Sequence, residues 1–105
     1  MRLGRVVVAG DSMRPVLWPG DWLLVRRPPR LEPGTVVVAQ RPDRPELQIV
    51  KRLGYRSSGG WWLVGDNANA SDDSRLFGAV PPDMIIAEVL LRYGPPSRGI
   101  GRVTR

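Results

Sequence analysis

A mainly β fold is predicted by three features of this chain. Eleven prolines and twelve glycines occur among 105 residues, which favours many turns and short elements over a helix bundle. Apolar residues gather in short valine-rich runs such as Thr35–Gln40, suited to a pleated, half-buried surface. Pro28-Pro29, Pro33-Gly34 and Gly59-Gly60 separate those runs, as turn dipeptides do. The length suits one domain with a modest core.

The elements follow in order. Arg5–Ala9 is the first predicted strand. Gly10–Asp21 is a loop: Gly10 permits a sharp turn, and Pro15, Pro19 and Gly20 stiffen and close it. Trp22–Arg26 is the second strand, ended by Pro28-Pro29. After the Pro33-Gly34 turn, Thr35–Gln40 is the third. Arg41–Glu46, with two prolines, reads as a loop. Leu47–Leu53 is the fourth strand and Trp61–Val64 the fifth, with Gly59-Gly60 between them. Asp66–Ser74 is polar and turn-like. Pro81-Pro82-Asp83 starts one short helical turn. Met84–Tyr93 lacks turn residues and reads as a long final strand, with a helix as the alternative. Residues 1–94 thus form a single domain, and 95–105, rich in Gly, Pro and Arg, form a flexible basic tail. No internal repeat or dividing linker is visible.

The composition excludes much chemistry. Cysteine and histidine are absent, which removes disulfides, Cys nucleophiles, Ser-His triads and thiolate or imidazole zinc sites. No cofactor and no metal are expected. The net charge is +6, and Lys51 is the sole lysine among sixteen basic residues. The arginines are scattered without a nucleic-acid-binding signature, so they read as a solvated surface and no nucleic-acid partner is expected. No apolar run approaches the ~20 residues that span a bilayer, and the N-terminus lacks the apolar core of a signal peptide. With Met1 as the true start, these features predict a soluble cytoplasmic protein without a transmembrane segment.

Three stretches carry candidate chemistry. Ser12 follows Gly10 on a rigid turn between two strands, where it is either a nucleophile or an ordinary turn serine. Alternation along the fourth strand puts Leu47, Ile49, Lys51 and Leu53 on one face and Gln48, Val50 and Arg52 on the other. The lone lysine therefore projects from an apolar face. Arginine cannot act as a base, because it does not deprotonate in proteins, whereas lysine can when its surroundings favour the neutral amine. Normally only about one lysine amine in 2,500 is neutral at pH 7, and burial can raise that fraction about a thousandfold. The bland alternative is a lysine that snorkels to the sheet edge or pairs with a carboxylate. The third stretch, Gly65–Arg75, packs short hydrogen-bonding side chains that lock loops. It lacks the central glycine and terminal glutamate of a calcium loop.

Three blocks occur in sequence order: Ser12-Met13 with Pro15, Leu17 and Gly20-Asp21; Lys51-Arg52; and Gly65-Asp66-Asn67 with Ser71, Asp73-Ser74-Arg75 and Gly78. Together they resemble the signature of type I signal peptidases and their serine–lysine relatives, over about Val8 to Tyr93. The resemblance implies a compact, coiled β-sheet domain over residues 1–94 in which Ser12 is the nucleophile and Lys51 the general base. It makes Ser71 the hydroxyl that orients the lysine, and Asp73 with Arg75 the pair that supports the site. The Ser12 backbone N–H would be one oxyanion donor. Some relatives have a serine two residues before the nucleophile that supplies a second. Here that oxyanion-region position is Gly10.

No membrane anchor is seen, and only thirteen residues separate Lys51 from Gly65, where larger relatives insert a subdomain. This compact form, with its Gly60-Trp61-Trp62 lead-in, is most similar to the maturation proteases of nickel-containing superoxide dismutase. The resemblance therefore implies removal of an N-terminal leader from a precursor polypeptide bound as an extended strand. The alternatives are the soluble part of a general signal peptidase and a noncatalytic peptide-binding module on the same fold. Self-cleaving domains of SOS-type repressors share the Ser-Lys logic but lack the Gly65–Arg75 block.

Overall fold

The computed structural model describes residues 1–70 and 72–103. Its strands are β1 (Arg2–Val7), β2 (Trp22–Arg27), β3 (Val36–Arg41), β4 (Arg44–Ser57), β5 (Gly60–Val64) and β6 (Ile85–Gly94). They form one antiparallel sheet in the order β1-β2-β6-β3-β4-β5. The mainly β expectation is met. The final run is a strand, and it inserts between β2 and β3.

The core lies on both faces of β3. Val36 and Val38 join Leu23, Val25, Ala87 and Val89 in one apolar cluster. Val37 and Ala39 join Leu53, Trp61, Leu63 and Ile85 in the other. A strand buried on both faces has no polar alternation, which explains the continuous valine run. The first cluster also takes in Val8, Met13 and Leu17. Loop 8–21 is therefore plugged into the core rather than draped over it.

Several expectations require correction. β1 begins at Arg2, because Arg2 to Val7 pair in register with Arg27 to Trp22. Arg41–Glu46 is not an extended loop. Arg41 pairs with Arg44, so β3 and β4 form a tight hairpin around Pro42-Asp43. The polar stretch ends in a helical turn, α1 (Ser74–Phe77). Its four residues are too few for a periodic sequence signal. The helical turn expected at Pro81-Pro82-Asp83 is present as a 3₁₀ turn over Pro82–Met84.

Residues 95–103 do not hang free as the tail reading supposed. Arg92 and Gly101 exchange two backbone hydrogen bonds of 2.9 Å, and Val103 is buried in the first cluster. Burial of this valine and the added hydrogen bonds offset the entropy of ordering the segment.

Two leucines measure the core. Leu23 is fully buried and Leu3 on edge strand β1 is 60% exposed. Leu23→Ala is expected to lower unfolding stability by about 2–5 kcal/mol. Leu3→Ala should change it by about 0.5 kcal/mol or less. Urea unfolding of both variants checks the contrast.

Candidate active site

Ser12 sits on a loop closed at its base. The Val8 N–H donates to the Asp21 carbonyl at 2.9 Å, and the Gly20 N–H donates to the Val8 carbonyl at 2.8 Å. Gly10 has φ +79°, with open space where a Cβ would lie. Its requirement is conformational, since a residue with a Cβ costs about 1–2 kcal/mol in the left-handed region. Beyond Ser12, Arg14 N–H bonds the Asp11 carbonyl and Leu17 N–H bonds the Met13 carbonyl. This winding sends Met13 and Leu17 into the core and leaves Ser12 half-buried at the surface.

Lys51 comes from the middle of β4, where it pairs with Val37 of β3. The residue is only 5% exposed. Its Nζ donates to Ser12 Oγ at 2.7 Å, across 39 residues of sequence. The apolar face of β4 is shorter than the alternation predicts. Ile49 and Leu53 pack on the second cluster, whereas Leu47 is 40% exposed. Burial pushes the Lys51 pKa below its ordinary value. Asp73 and Asp72 act the other way, and the nearby positive charge of Arg41 adds to the lowering.

The pair opens on a cavity of about 460 Å³, lined among others by Gly10, Ser12, Arg41, Ile49, Lys51 and Asp72. Arg41 reaches its rim through the β3–β4 hairpin, held by Asp43 at 2.6 and 3.1 Å. Its Nη1 lies 3.6 Å from Asp72. Sequence reading missed Arg41, because nothing local marks an arginine that a hairpin carries to a cavity.

The Gly65–Arg75 stretch is a lock. Asp73 is 1% exposed and caps α1 by accepting the Arg75 N–H at 3.1 Å. It also accepts the Gly65 N–H at 3.0 Å and the Arg75 guanidinium at 2.9 and 3.1 Å. Burial alone would raise its pKa. The Arg75 fork and the backbone donors of Gly65 and Arg75 outweigh that and hold it below the usual carboxylate value. The predicted Asp73–Arg75 pair is therefore present. Ser71, predicted to orient the lysine, lies outside the described residues.

Three further residues from the quoted blocks prove structural. Asn67 donates its N–H to the Ser12 carbonyl at 2.8 Å and its side-chain amide to the Asp11 carbonyl at 3.1 Å. It ties the lock directly to the Ser12 loop. Asp66 accepts both arms of Arg52 at 2.9 and 2.8 Å, and Arg52 also reaches the Gly34 carbonyl at 2.8 Å. Residues 51 and 52 thus serve opposite faces of β4.

Residues 3–77 match the Peptidase S24-like family. The chain belongs to that family. Mitochondrial inner membrane protease subunit 1 of Xenopus tropicalis is 32% identical over 118 residues, covering 89% of this chain and 71% of the relative. The human subunit 1 is 27% identical over 118 residues, covering 90% and 71%. Mitochondrial ATP-independent inner membrane protease subunit 1a of Arabidopsis thaliana is 34% identical over 116 residues, covering 85% and 69%. The class is therefore peptidase, of the signal-peptidase-like kind. Among the described residues, no helix is long and apolar enough to cross a membrane.

The buried amine has a stability signature. With the folded pKa below the unfolded one, the unfolded chain binds the proton first as pH falls. Stability contributed at Lys51 is expected to be highest above the ordinary lysine pKa, to fall between the two values, and to level off below the folded one. Lys51→Met keeps the volume but cannot titrate. Urea unfolding at several pH values should show this slope in the wild type and its loss in Lys51→Met.

Proposed function

We propose that this chain is a serine endopeptidase in which Ser12 and Lys51 form a catalytic dyad that removes an N-terminal leader from a precursor. The observation that carries this reading is the 2.7 Å contact between a buried lysine amine and a serine hydroxyl at an open cavity. When the amine is neutral, the contact reverses. Ser12 then donates its hydroxyl proton toward the Nζ lone pair. Ser12 Oγ attacks the scissile carbonyl as Nζ takes that proton, and the oxyanion that forms is met by the Ser12 backbone N–H. The Lys51 ammonium gives the proton to the departing amine, leaving an ester on Ser12. Water, deprotonated by the same amine, adds to the ester, and its breakdown returns the proton to Oγ.

Supporting roles follow from the resemblance and the contacts together. Ser71 would orient the lysine. Asp73 and Arg75 would hold the Gly65–Arg75 lock, and through Asn67 the lock steadies the Ser12 carbonyl. The substrate would enter as a strand. β3 pairs with β4 from Arg44 to Arg52, but β5 pairs with β4 only from Arg52 onward. The other edge of β4 from Arg44 to Val50 therefore has no strand partner among the described residues, and it runs into the cavity at Ile49 and Lys51. An extended peptide can add there through main-chain hydrogen bonds.

For the precursor itself we infer nickel superoxide dismutase, from the compact three-block pattern and the Gly60-Trp61-Trp62 lead-in. Leader removal would free the N-terminal amine and histidine that help hold nickel in that enzyme family, and the setting would be the cytoplasm. A second reading, a general leader peptidase working at a membrane, is favoured by the inner membrane protease subunits among the relatives. Co-expression of the dismutase precursor with wild-type protein or Ser12→Ala, followed by N-terminal sequencing, separates the two. A trimmed precursor with the wild type alone is expected. An untouched precursor, alongside cleavage of an exported one, would favour the second reading. Binding of either leader without cleavage would point to a noncatalytic module.

Two outcomes test the dyad. Ser12→Ala, Lys51→Ala and Lys51→Arg should each reduce kcat by at least about 10³-fold while remaining folded, since arginine keeps the charge and accepts no proton. Substantial turnover by Lys51→Arg would exclude the general-base role.

The rate should rise with pH through the lowered lysine pKa. Arg41→Gln removes a positive charge that disfavours the ammonium, so the profile should move to higher pH. A pH–kcat/KM series on the two proteins checks the sign.

A further inference from the structure

The loop that carries Ser12 is held from two sides. Asn67 holds one side, as described above. On the other, the contacts come from the chain's own C-terminal segment. Asp21, at the foot of the loop, is 1% exposed. Its carboxylate accepts Nε and Nη2 of Arg98 at 3.0 and 3.1 Å. The same carboxylate accepts the Trp18 N–H at 2.8 Å. The Trp18 ring lies under the Arg14 guanidinium at 3.7 Å, with Arg98 at 5.5 Å.

Two more contacts run the same way. Arg92 donates to the Val16 carbonyl of the loop at 3.5 Å, and to the Gly99 and Arg98 carbonyls of the segment at 3.2 Å each. Val103 packs in the cluster that holds Met13 and Leu17, the two plugs of the Ser12 loop. A buried carboxylate needs its counter-charge, and a guanidinium fork fixes its direction as well as its charge. Asp21 is thus orientated by Arg98, and the loop's internal hydrogen bond to Trp18 depends on that orientation.

We propose that residues 95–103 form a clamp that positions the nucleophile loop, with Arg98 as its positioning residue. Arg98 is not among the residues lining the cavity beside Ser12, so it acts through Asp21 rather than by touching substrate. This inference rests on Ser12 being the nucleophile. Its structural half, control of loop order, stands apart from that reading. Small displacements of a reacting group lower rate steeply, about 10²-fold for 1 Å. Loss of Arg98 should therefore appear in kcat, with KM little changed.

The experiment compares wild type, Arg98→Lys and Arg98→Gln, with Ser12→Ala as the inactive control. Backbone amide exchange and peptidase kinetics are measured well below each protein's unfolding temperature. Exchange at Val8, Leu17, Trp18 and Gly20 is expected to accelerate in Arg98→Gln and less so in Arg98→Lys, with the β3–β4 ladder as protected as in the wild type. Turnover should fall by about 100-fold in Arg98→Gln and about tenfold in Arg98→Lys, with KM within about twofold.

A purely structural role would lower the unfolding temperature of the variants and leave kcat of the folded protein unchanged, and that result would overturn the clamp. Loop amides protected as in the wild type would overturn it equally. Should Arg98→Gln fail to fold, Arg98→Lys, which keeps the charge without the fork, decides the comparison. If Ser12→Ala proves as active as wild type, the nucleophile assignment fails, and the exchange data still decide whether Arg98 orders the loop.

Discussion

A lysine amine removed from water is the constraint on which this structure turns. Lys51 occupies a core-facing position of β4, in register with Val37. Burial there disfavours the ammonium and makes the neutral amine accessible. Such a group is tolerated only with a hydrogen-bond partner, and Ser12 Oγ is one. Arg41 and Asp72 line the same cavity and pull the amine's pKa in opposite directions. Desolvation therefore sets the direction, and the flanking charges trim it.

Bringing Ser12 to that amine is work done by loop anchoring. Met13 and Leu17 hold the loop by burial. Asn67 and Arg98 hold it by hydrogen bonds, the first to the Ser12 carbonyl, the second through Asp21. Asn67 can serve as an anchor because described residues on either side of it are themselves held. Asp73 caps α1 and gathers donors from Gly65 and Arg75, and Asp66 is clasped by Arg52. Residue 52 thus supports the lock on one face of β4 while residue 51 faces Ser12 on the other, a consequence of the two-residue period of a strand.

Most strands were legible because their signals are local. Apolar runs bounded by Gly and Pro, valine-rich in the case of β3, predicted β2, β3, β5 and β6 to within a few residues. Errors fell where strand pairing or packing overrode composition, or where an element was too short to leave a signal. Pro42 and Pro45 suggested a loop, yet they sit at a hairpin tip and just inside the next strand. The Arg- and Gly-rich end suggested a free tail, yet Arg98 finds its partner Asp21 77 residues away and Val103 is buried in the first core cluster. Helix α1 was invisible because four residues show no period.

By itself, the sequence determined the mainly β class, the absence of histidine and cysteine chemistry, and the placement of one lysine on an apolar strand face. These depend on residue type and on short-range alternation. Its three blocks also marked Ser12, Lys51 and the Asp73–Arg75 pair by resemblance. Tertiary structure decided the rest: the insertion of β6 between β2 and β3, the 2.7 Å meeting of Lys51 with Ser12, the arrival of Arg41 at the cavity, and the return of the C-terminal segment to Asp21. Each of these joins residues far apart in the chain or on separate elements. Their proximity follows from strand order and shared core packing, which no local pattern encodes.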